Sequence, residues 1–310
     1  MLNYWSPGLR RVAQGSTFEA IGKAELRNLK VVVPPRSEQH RIAEILDTID
    51  DAIQATEALI AKLRRARAGL LHDLLTRGID EHGHLRDPDA HPEQFKGSPL
   101  GRIPREWRVI RMDALCSNIV DCPHTTPVIE PEGVLMARTS EIRDGMFNTA
   151  AAPRVSWKNY RSRITRLEPS PGDIVFTREA PVGEAFIIPD GMQLCLGQRT
   201  MLLRPDRTKV NGDYLIAQVY SGAVRGRIEQ MVAGTTNPHL NVADVRAFVV
   251  PTPDTTEQLL ISNILDTHDA RVRSEIAYRD KLHLSKRGLM DDLLSDRVRA
   301  YDLAAVEIAK

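Results

Sequence analysis

The sequence has little cysteine, almost no net charge and no long hydrophobic run. Three cysteines in 310 residues are too few for a disulfide framework, and they fit a reducing cytosol. No stretch of 18 or more apolar residues occurs and the start of the chain is not a signal sequence, so we expect a cytoplasmic protein without a membrane partner. Because the net charge is only +1, any nucleic-acid surface must be a local patch.

The common motifs of catalysis and nucleotide binding are also missing. The chain has no Gly-x-Gly-x-x-Gly fingerprint, no Walker A loop, no Gly-x-Ser-x-Gly elbow and no Glu-x-Lys nuclease pair behind a suitable Asp. An amino-methyltransferase would need Asn/Asp-Pro-Pro-aromatic, and the nearest segment, Asn237-Pro238-His239, does not match it. We therefore predict no catalytic residue, no bound cofactor and no enzymatic activity in this chain.

Two segments raise the question of a metal site. Cys116, Cys122 and His124 lie close in sequence, but their spacing matches no paired Cys-x2-Cys knuckle and a fourth ligand is not evident. Residues 79–99 carry three histidines among Asp, Pro and Gly, and for this composition a solvated linker is the favoured interpretation. We predict no metal ion.

An internal repeat organises the chain. A shift of 219 residues aligns residues 15–77 with residues 234–296 without a gap, and 22 of the 63 aligned positions are identical. The densest matches are Glu38-Gln39 with Glu257-Gln258, Ile45-Leu46-Asp47-Thr48 with Ile264-Leu265-Asp266-Thr267, and Asp73-Leu74-Leu75 with Asp292-Leu293-Leu294. A match of this length in one register indicates duplication of one structural unit.

Each repeat has the pattern of a short strand, then prolines, then a long helix. Apolar runs at residues 29–33 and 248–250 predict the strands. Ser37 and Thr256 are placed to be the helix N-caps, each with an acidic residue next to it that suits the positive helix end. Gly78 is placed to cap the C-terminus of the first helix.

Both helices carry a heptad pattern, which is typical of coiled coils. The first helix has apolar positions that alternate at spacings of four and three once Thr56 and Arg67 are included: Ile42, Leu46, Ile49, Ile53, Ile60, Leu63, Leu70 and Leu74. The second keeps the pattern at Ile261, Leu265, Val272, Leu282, Leu289 and Leu293, and breaks it at His268, Glu275, Arg279 and Lys286. We predict that the helices at 37–77 and 256–299 pack side by side and antiparallel.

The segment between the helices has a different pattern. Short apolar runs with turn sequences between them predict strands at 134–136, 173–176, 185–188 and 200–203, and residues 212–221 predict a helix. The fold class that follows is α+β, a mostly β domain with long antiparallel coiled-coil helices.

A cluster of cations lies inside this β segment. Its five members fall within thirteen residues that contain no acidic residue, and Trp157 and Tyr160 lie among them. The members are Arg154, Lys158, Arg161, Arg163 and Arg166. Cations suit phosphates and aromatic side chains can stack, so the cluster predicts a DNA-backbone contact, with a solvated charged face as the alternative.

Four polar spots accompany the predicted strands or the entry to the second repeat. Their residue types pair with base edges in DNA, although each spot alone is also typical of an ordinary strand end or turn. The candidates for DNA contact are Arg138, Thr139 and Glu141, then Arg178, then Gln198 and Arg199, and finally Thr235, Thr236 and Asn237.

Three motifs of the chain match those of a known family. The first is Gly101-x-Ile103-Pro104-x-x-Trp107, and the second is Pro171-Gly172-Asp173-Ile174-Val175. The third occurs twice, as Gly-Ser/Thr-Thr, then prolines, then Glu-Gln-x-x-Ile-x-x-Ile-Leu-Asp at the start of each helix. On these motifs the chain resembles the specificity subunit of type I restriction-modification systems over nearly its whole length.

This resemblance implies a function and a set of partners. Members of the family read a bipartite site in double-stranded DNA with two target-recognition domains, which two antiparallel helices hold apart. Modification subunits dock on the helices and methylate adenine with S-adenosylmethionine, and a restriction subunit translocates and cleaves DNA with ATP and Mg²⁺. The resemblance therefore implies that these cofactors belong to partner subunits and that this chain supplies sequence recognition.

The chain departs from the family pattern at its start, where about 35 residues precede the first helix. We expect that most of a first target-recognition domain is absent, and that a second copy of the chain or a complementing recognition-domain fragment supplies it. The alternative is a coiled-coil assembly protein, or a decayed specificity subunit without independent DNA recognition. The predicted boundaries are 1–36 for the domain remnant, 37–78 for the first helix, 79–99 for a linker, 100–253 for the target-recognition domain, 254–299 for the second helix and 300–310 for a tail.

Overall fold

The computed structural model describes Lys23, Arg27 and residues 33–220, 222–236, 238–295 and 297–301. The chain forms two compact units, one of Met1–Arg65 with Asp269–Lys310 and one of Ala66–His268. Each long helix contributes one part of its length to each unit. The predicted strand at 29–33 and the predicted domain remnant at 1–36 lie almost wholly outside the described residues.

The elements are numbered here in chain order. The helices are α1 (Arg36–Thr76), α2 (Met112–Leu115), α3 (Trp157–Arg163), α4 (Gly212–Val219), α5 (Gly222–Val232), α6 (Val242–Ala247) and α7 (Thr255–Leu294), with 3-10 turns at Pro92–Gln94 and Thr139–Glu141. The strands are β1 (Phe95–Ser98), β2 (Gly101–Pro104), β3 (Arg108–Arg111), β4 (Cys116–Asp121), β5 (Val134–Ala137), β6 (Ile142–Arg143), β7 (Met146–Phe147), β8 (Arg154–Val155), β9 (Ile174–Thr177), β10 (Ala185–Ile187), β11 (Leu194–Leu196), β12 (Thr200–Pro205) and β13 (Val249–Thr252).

In the first unit, the start of α1 packs against the end of α7. Ile42 lies in an apolar cluster with Leu293 and Ala300. Farther along α1, Asp50 forms an ion pair with Lys286, which comes earlier in α7. Because the paired positions run in opposite directions along the chain, the two helices are antiparallel in this unit, as predicted.

The heptad pattern marks the less exposed stripe of both long helices. In α1 every predicted position, Thr56 and Arg67 included, is buried or half-buried. The same holds in α7 for the predicted apolar positions and for the four polar positions that interrupt them. The four polar side chains therefore occupy the same covered face of α7 as the apolar ones, which confirms the predicted heptad period.

The predicted N-caps are each wrong by two residues. The Asp254 carboxylate accepts hydrogen bonds from the N–H groups of Thr256 and Glu257, both at 2.9 Å, so Asp254 caps α7 and Thr256 lies inside the helix. Helix α1 begins at Arg36, which places Ser37 inside it as well. A Ser or Thr is acceptable in the first turn as well as at the cap, so the residue type alone does not fix the boundary.

The two helix C-termini differ in how well the sequence predicts them. Gly78 follows α1 with φ of +64°, the left-handed conformation of a C-terminal cap, as predicted. Helix α7 ends at Leu294, five residues before the predicted end at 299. There the N–H of Val298 donates to the carbonyl of Asp292 at 3.2 Å, which turns the chain out of the helix.

The second unit contains two main sheets. A four-stranded antiparallel sheet has the order β10-β9-β12-β4, and a three-stranded sheet has the order β11-β5-β8 with β11 parallel to β5. The strands predicted from the four apolar runs correspond to β5, β9, β10 and β12, and the predicted helix corresponds to α4. Large side chains that are fully buried, among them Trp107, Phe176 and Tyr214, form the core.

The predicted linker at 79–99 is an ordered part of the second unit, so this prediction is corrected. Ile79 and Phe95 are buried, and β1 pairs with β2 in a hairpin that crosses the predicted boundary at residue 100. The polar composition of the segment reflects its exposed turns, while a few apolar side chains anchor it.

Candidate nucleic-acid interface

Three of the polar spots predicted from sequence meet at one edge of the second unit. Strands β5 and β11 are parallel, with Ala137 paired to Leu196, so their carboxyl ends lie side by side. Arg138 and Gly197 follow directly, and the Gly197 N–H donates to the Ala137 carbonyl at 2.8 Å. Parallel pairing thus joins two spots that are about sixty residues apart in sequence.

The same edge includes the spot at Arg178 and the loop that follows the fourth spot in sequence. Gly197–Arg199 leads into β12, which is antiparallel to β9, and the Arg178 N–H donates to the Arg199 carbonyl at 3.0 Å. The loop before α6 joins them, because the Leu240 N–H donates to the Arg178 carbonyl at 2.8 Å and His239 pairs with Glu179 in a β-bridge. We call this surface the polar edge, and it consists of residues 138–141, 178–179, 197–199 and 238–239.

The turn at 197–199 has a backbone that few residues could supply. A Cβ at Gly197 would lie 2.7 Å from the Ala137 carbonyl oxygen and 2.8 Å from Cγ of Arg138, closer than van der Waals contact allows. Arg199 has φ of +70°, an uncommon conformation for a residue with a side chain. Such strain is kept where surrounding structure enforces it, and it is enriched at binding sites.

Two exposed arginines of the polar edge are held by carboxylates. Arg138 donates from Nε and Nη2 to the two oxygens of Glu141, at 3.2 and 2.7 Å. Arg199 Nε lies 3.0 Å from Glu179 Oε2. Burial would raise the pKa of Glu141, but the hydrogen bonds from Arg138 and Ser140 outweigh it and hold that pKa below its ordinary value.

Four predicted DNA contacts are internal and are corrected here. Arg163 is 6% exposed and donates to the carbonyls of Leu196 (2.8 Å) and Thr125 (2.9 Å), so it ties the end of α3 to the strands. The Arg178 side chain is 11% exposed and lies 3.1 Å from the Asp121 carboxylate. The remaining two buried residues are Thr139 and Glu141. Sequence shows the charge of a side chain but not the carbonyls or carboxylates that surround it.

The other cations of the cluster face solvent along α3 and its flanks. Lys158 and Arg161 are exposed, and Arg154 is exposed while it donates to the Gly133 carbonyl at 2.8 Å. Trp157 is exposed beside them, in edge-to-face contact with the buried ring of Tyr160 at 5.7 Å between centroids. Arg163 fixes the far end of α3 against β11, the strand that leads to Gly197.

The remaining candidates are small polar residues. Thr235 and Thr236 are exposed and Gln198 is half-buried, whereas Asn237 lies outside the described residues. His239 is exposed at the bridge to Glu179 and is an additional edge residue. In the sequence it stands out only as part of the segment that fails to match a methyltransferase motif. Its place depends on a strand pairing across sixty residues, and no local pattern signals that pairing.

The described residues contain no group of three or more His, Cys, Asp or Glu side chains arranged to hold a metal ion. The cysteines are buried, and burial raises the pKa of Cys116 to about 12 and that of Cys195 to about 11. These thiols are therefore protonated packing residues. Nor does any helix in the described part of the chain combine the length and apolarity needed to cross a bilayer.

Comparison with known proteins identifies relatives of this architecture. The model of the type I restriction modification DNA specificity domain matches residues 6–65 and 162–282. The putative type I restriction enzyme MjaX specificity subunit of Methanocaldococcus jannaschii is 25% identical over 284 residues, which cover 90% of this chain and 62% of that protein. The EcoDI specificity subunit of Escherichia coli is 22% identical over 281 residues, 87% of this chain and 60% of its own length. The chain thus spans less than two thirds of the length of these two relatives.

Solved structures share the fold. The S subunit of a type I restriction-modification system from M. genitalium aligns with 94% of this chain and 70% of its own length, at a TM-score of 0.56 and 16% identity. A chain from a structure of complex assembly and conformational transition in the type I R-M system covers 94% of this chain and 67% of itself, at a TM-score of 0.55 and 20% identity. With more than half of its residues matched by the family model, this chain belongs to the type I restriction-modification DNA specificity domain family.

Proposed function

We propose that this chain is the sequence-reading specificity subunit of a type I restriction-modification complex, and that it directs adenine methylation and restriction by partner subunits while catalysing nothing itself. The observation that carries the proposal is the polar edge, where separate segments of the chain bring Arg138, Gln198 and Arg199 together. Family membership supports the same function.

The two surfaces would divide the work of DNA binding. Lys158 and Arg161, with Arg154, suit phosphates, since they are exposed cations and since phosphate contacts fix the position of a protein on the duplex. The edge residues suit base edges in a groove, because their donors and acceptors are the types that distinguish bases. The candidates there are Arg138, Gln198 and Arg199, and the sequence adds Thr235, Thr236 and Asn237 to the proposal.

The partners proposed are double-stranded DNA, modification subunits and a restriction/translocase subunit, in the cytoplasm. S-adenosylmethionine, ATP and Mg²⁺ would belong to those subunits. Association with a second copy of the chain or with a complementing recognition-domain fragment stays a prediction. Light scattering, which gives the mass of the assembly, tests it together with mapping of the target motif, since a twofold dimer would read an inverted repeat and a complementing fragment an asymmetric site.

The direct test is co-purification of the full chain with the modification subunit of its organism, followed by methylome sequencing of cells with and without the chain. We expect an adenine-methylated motif that depends on the chain. A stable complex that methylates no motif would favour the alternative of an assembly protein without DNA recognition. Turnover by the purified chain alone, lost on a point mutation in it, would contradict its non-catalytic role.

The phosphate-contacting surface can be tested separately. The double variant Lys158→Ala/Arg161→Ala should weaken binding to all duplexes alike and reduce the slope of log affinity against log salt by about 2, since each phosphate contact contributes about 0.9. Arg111→Ala is the matched control, because Arg111 is an exposed cation of the same unit on β3 and shares no hydrogen bond with α3 or the polar edge. Equal salt slopes for the double variant and wild type would show that α3 is only a solvated face.

A further inference from the structure

Two arginines of the second unit are bound by carboxylates in the same way. Arg138 uses Nε and Nη2 to contact Glu141, and Arg111 uses Nε and Nη2 to contact Asp113 at 3.0 and 2.6 Å. In both pairs the carboxylate covers the side edge of the guanidinium plane. The end edge, formed by Nη1 and Nη2, faces away from the carboxylate.

The surroundings distinguish the two pairs. The Glu141 side chain is 5% exposed and also accepts from the Ser140 hydroxyl at 2.6 Å, whereas the Asp113 side chain is 36% exposed. Gly197 leaves room for the Arg138 stem, which a Cβ at that position would displace. Arg138 is therefore fixed at its base by packing and along one edge by a buried anion, while Arg111 is held at an open surface.

Arg138 still presents donors to solvent. Its side chain is 44% exposed, and Nη1 has no hydrogen-bond partner among the residues that the structure describes. A guanidinium with a free end edge donates two parallel N–H bonds, the arrangement that O6 and N7 of guanine accept in the major groove. Holding the plane in advance lowers the entropic cost of that contact.

Charge separates this role from a phosphate contact. The Arg138–Glu141 pair has no net charge, so it adds little to the release of counterions that drives phosphate binding. Lys158 and Arg161 are exposed and form no ion pair with a carboxylate in the described part of the chain. The exposed cations of α3 therefore suit attraction of the DNA backbone. Arg138, which Glu141 holds in place, suits discrimination between bases.

We propose that Arg138 reads a guanine of the target duplex through its Nη1–Nη2 edge, and that buried Glu141 is a positioning residue that sets the plane of this guanidinium without touching DNA. The proposal rests on the proposed function, because it names the base that one residue of the polar edge would recognise. Glu141 thus acts through Arg138.

The experiment is selection of bound sequences from a library of duplex DNA with a randomised segment, using the full chain in complex with its modification subunit. Wild type, Arg138→Ala, Arg138→Lys, Glu141→Gln and the control Arg111→Ala are compared at one salt concentration. We expect Arg138→Ala to lose preference for one G·C pair by about ten- to a hundredfold while the other positions and the salt slope stay unchanged. Arg138→Lys should not restore that preference, because an ammonium cannot donate along a planar edge.

Glu141→Gln should weaken preference at that same base pair only, and Arg111→Ala should leave the whole profile unchanged. A loss of fold alone would not act on one base pair selectively. Thermal unfolding of each variant identifies any that do not fold. If Arg138→Ala does not fold, the guanine preference of the folded Arg138→Lys variant is the deciding measurement. Retained guanine preference in folded Arg138→Lys, or a uniform loss over all sequences in folded Arg138→Ala, would overturn the proposal. Failure of wild type to select any motif would instead refute the proposed function.

Discussion

The two copies of the Glu-Gln motif lie in different units and make different contacts. In the second unit, Glu257 accepts from the Ile79 N–H at 2.9 Å, from Arg86 at 2.5 and 3.2 Å and from the Trp107 indole at 3.1 Å. Each of these donors follows the end of α1. The carboxylate therefore closes the end of the helix that packs beside its own, and it also anchors the motif that opens the β domain.

In the first unit, Glu38 makes a smaller version of this contact. It accepts from Arg299 at 2.8 Å and from the Ala300 N–H at 3.3 Å, just beyond the end of α7. Both glutamates are buried, but Arg299 stays half exposed whereas Arg86 is almost covered. The comparison shows that both copies make the same reciprocal contact between helix ends, and that the second copy has additional partners.

The largest effect should come from the copy with more partners. Glu257→Ala would leave the Arg86 guanidinium and the Trp107 indole buried without their acceptor, so we expect the free energy of unfolding to fall by about 3–5 kcal/mol. Urea denaturation followed by tryptophan fluorescence measures it, with Glu257→Gln as the control that keeps shape and should lose less. A loss under about 1 kcal/mol would mean that the contacts of Glu257 are incidental.

Glu38→Ala should have a smaller effect, about 1 kcal/mol, because the half-exposed Arg299 recovers solvation from water. The same denaturation measurement, with Glu38→Gln as control, sharpens the comparison. If the two alanine variants destabilise the protein equally, the additional partners of Glu257 contribute nothing beyond closure of the helix end.

The smallest effect should lie in the polar part of the heptad stripe. Lys286→Met replaces a partly exposed ion-pair partner of Asp50 by an apolar side chain at a core-facing position, so we expect a change of less than about 1 kcal/mol in either direction. Circular dichroism at increasing temperature detects it. A large destabilisation would show that the Lys286–Asp50 pair fixes the register of the helices in this unit.

The sequence predicts well what depends on near neighbours. The heptad positions of α1 and α7, the left-handed Gly78 and strands β5, β9, β10 and β12 all follow from periodicity or turn chemistry within a few residues. The duplicated Glu-Gln motif is visible too. The role of this motif is not visible in the sequence. Glu257 is predicted to complement the positive start of its own helix, but it instead contacts Ile79, 178 positions away.

The candidate site was predicted in pieces. Each polar spot carries a local signal, yet their convergence depends on the parallel pairing of β11 with β5, which no short segment encodes. The same limit explains the corrected residues, since Arg163 and Arg178 look like their exposed neighbours in sequence and differ only in what the fold places around them. The polar composition of residues 79–99 predicts a solvated linker, but two buried apolar side chains, Ile79 and Phe95, are enough to hold the segment against the second unit.

The position of the polar edge at the ends of parallel strands has an evolutionary consequence. Residues 138 and 197–199 come just after the last paired positions, so exchanging those that no backbone constraint fixes would leave the register of β5, β11 and β12 intact. Under the proposed function, the chain would therefore change the bases that it recognises with little loss of stability, whereas Gly197 stays constrained by the backbone it faces. Variation among relatives should concentrate at such ends, and a new target would then need few substitutions.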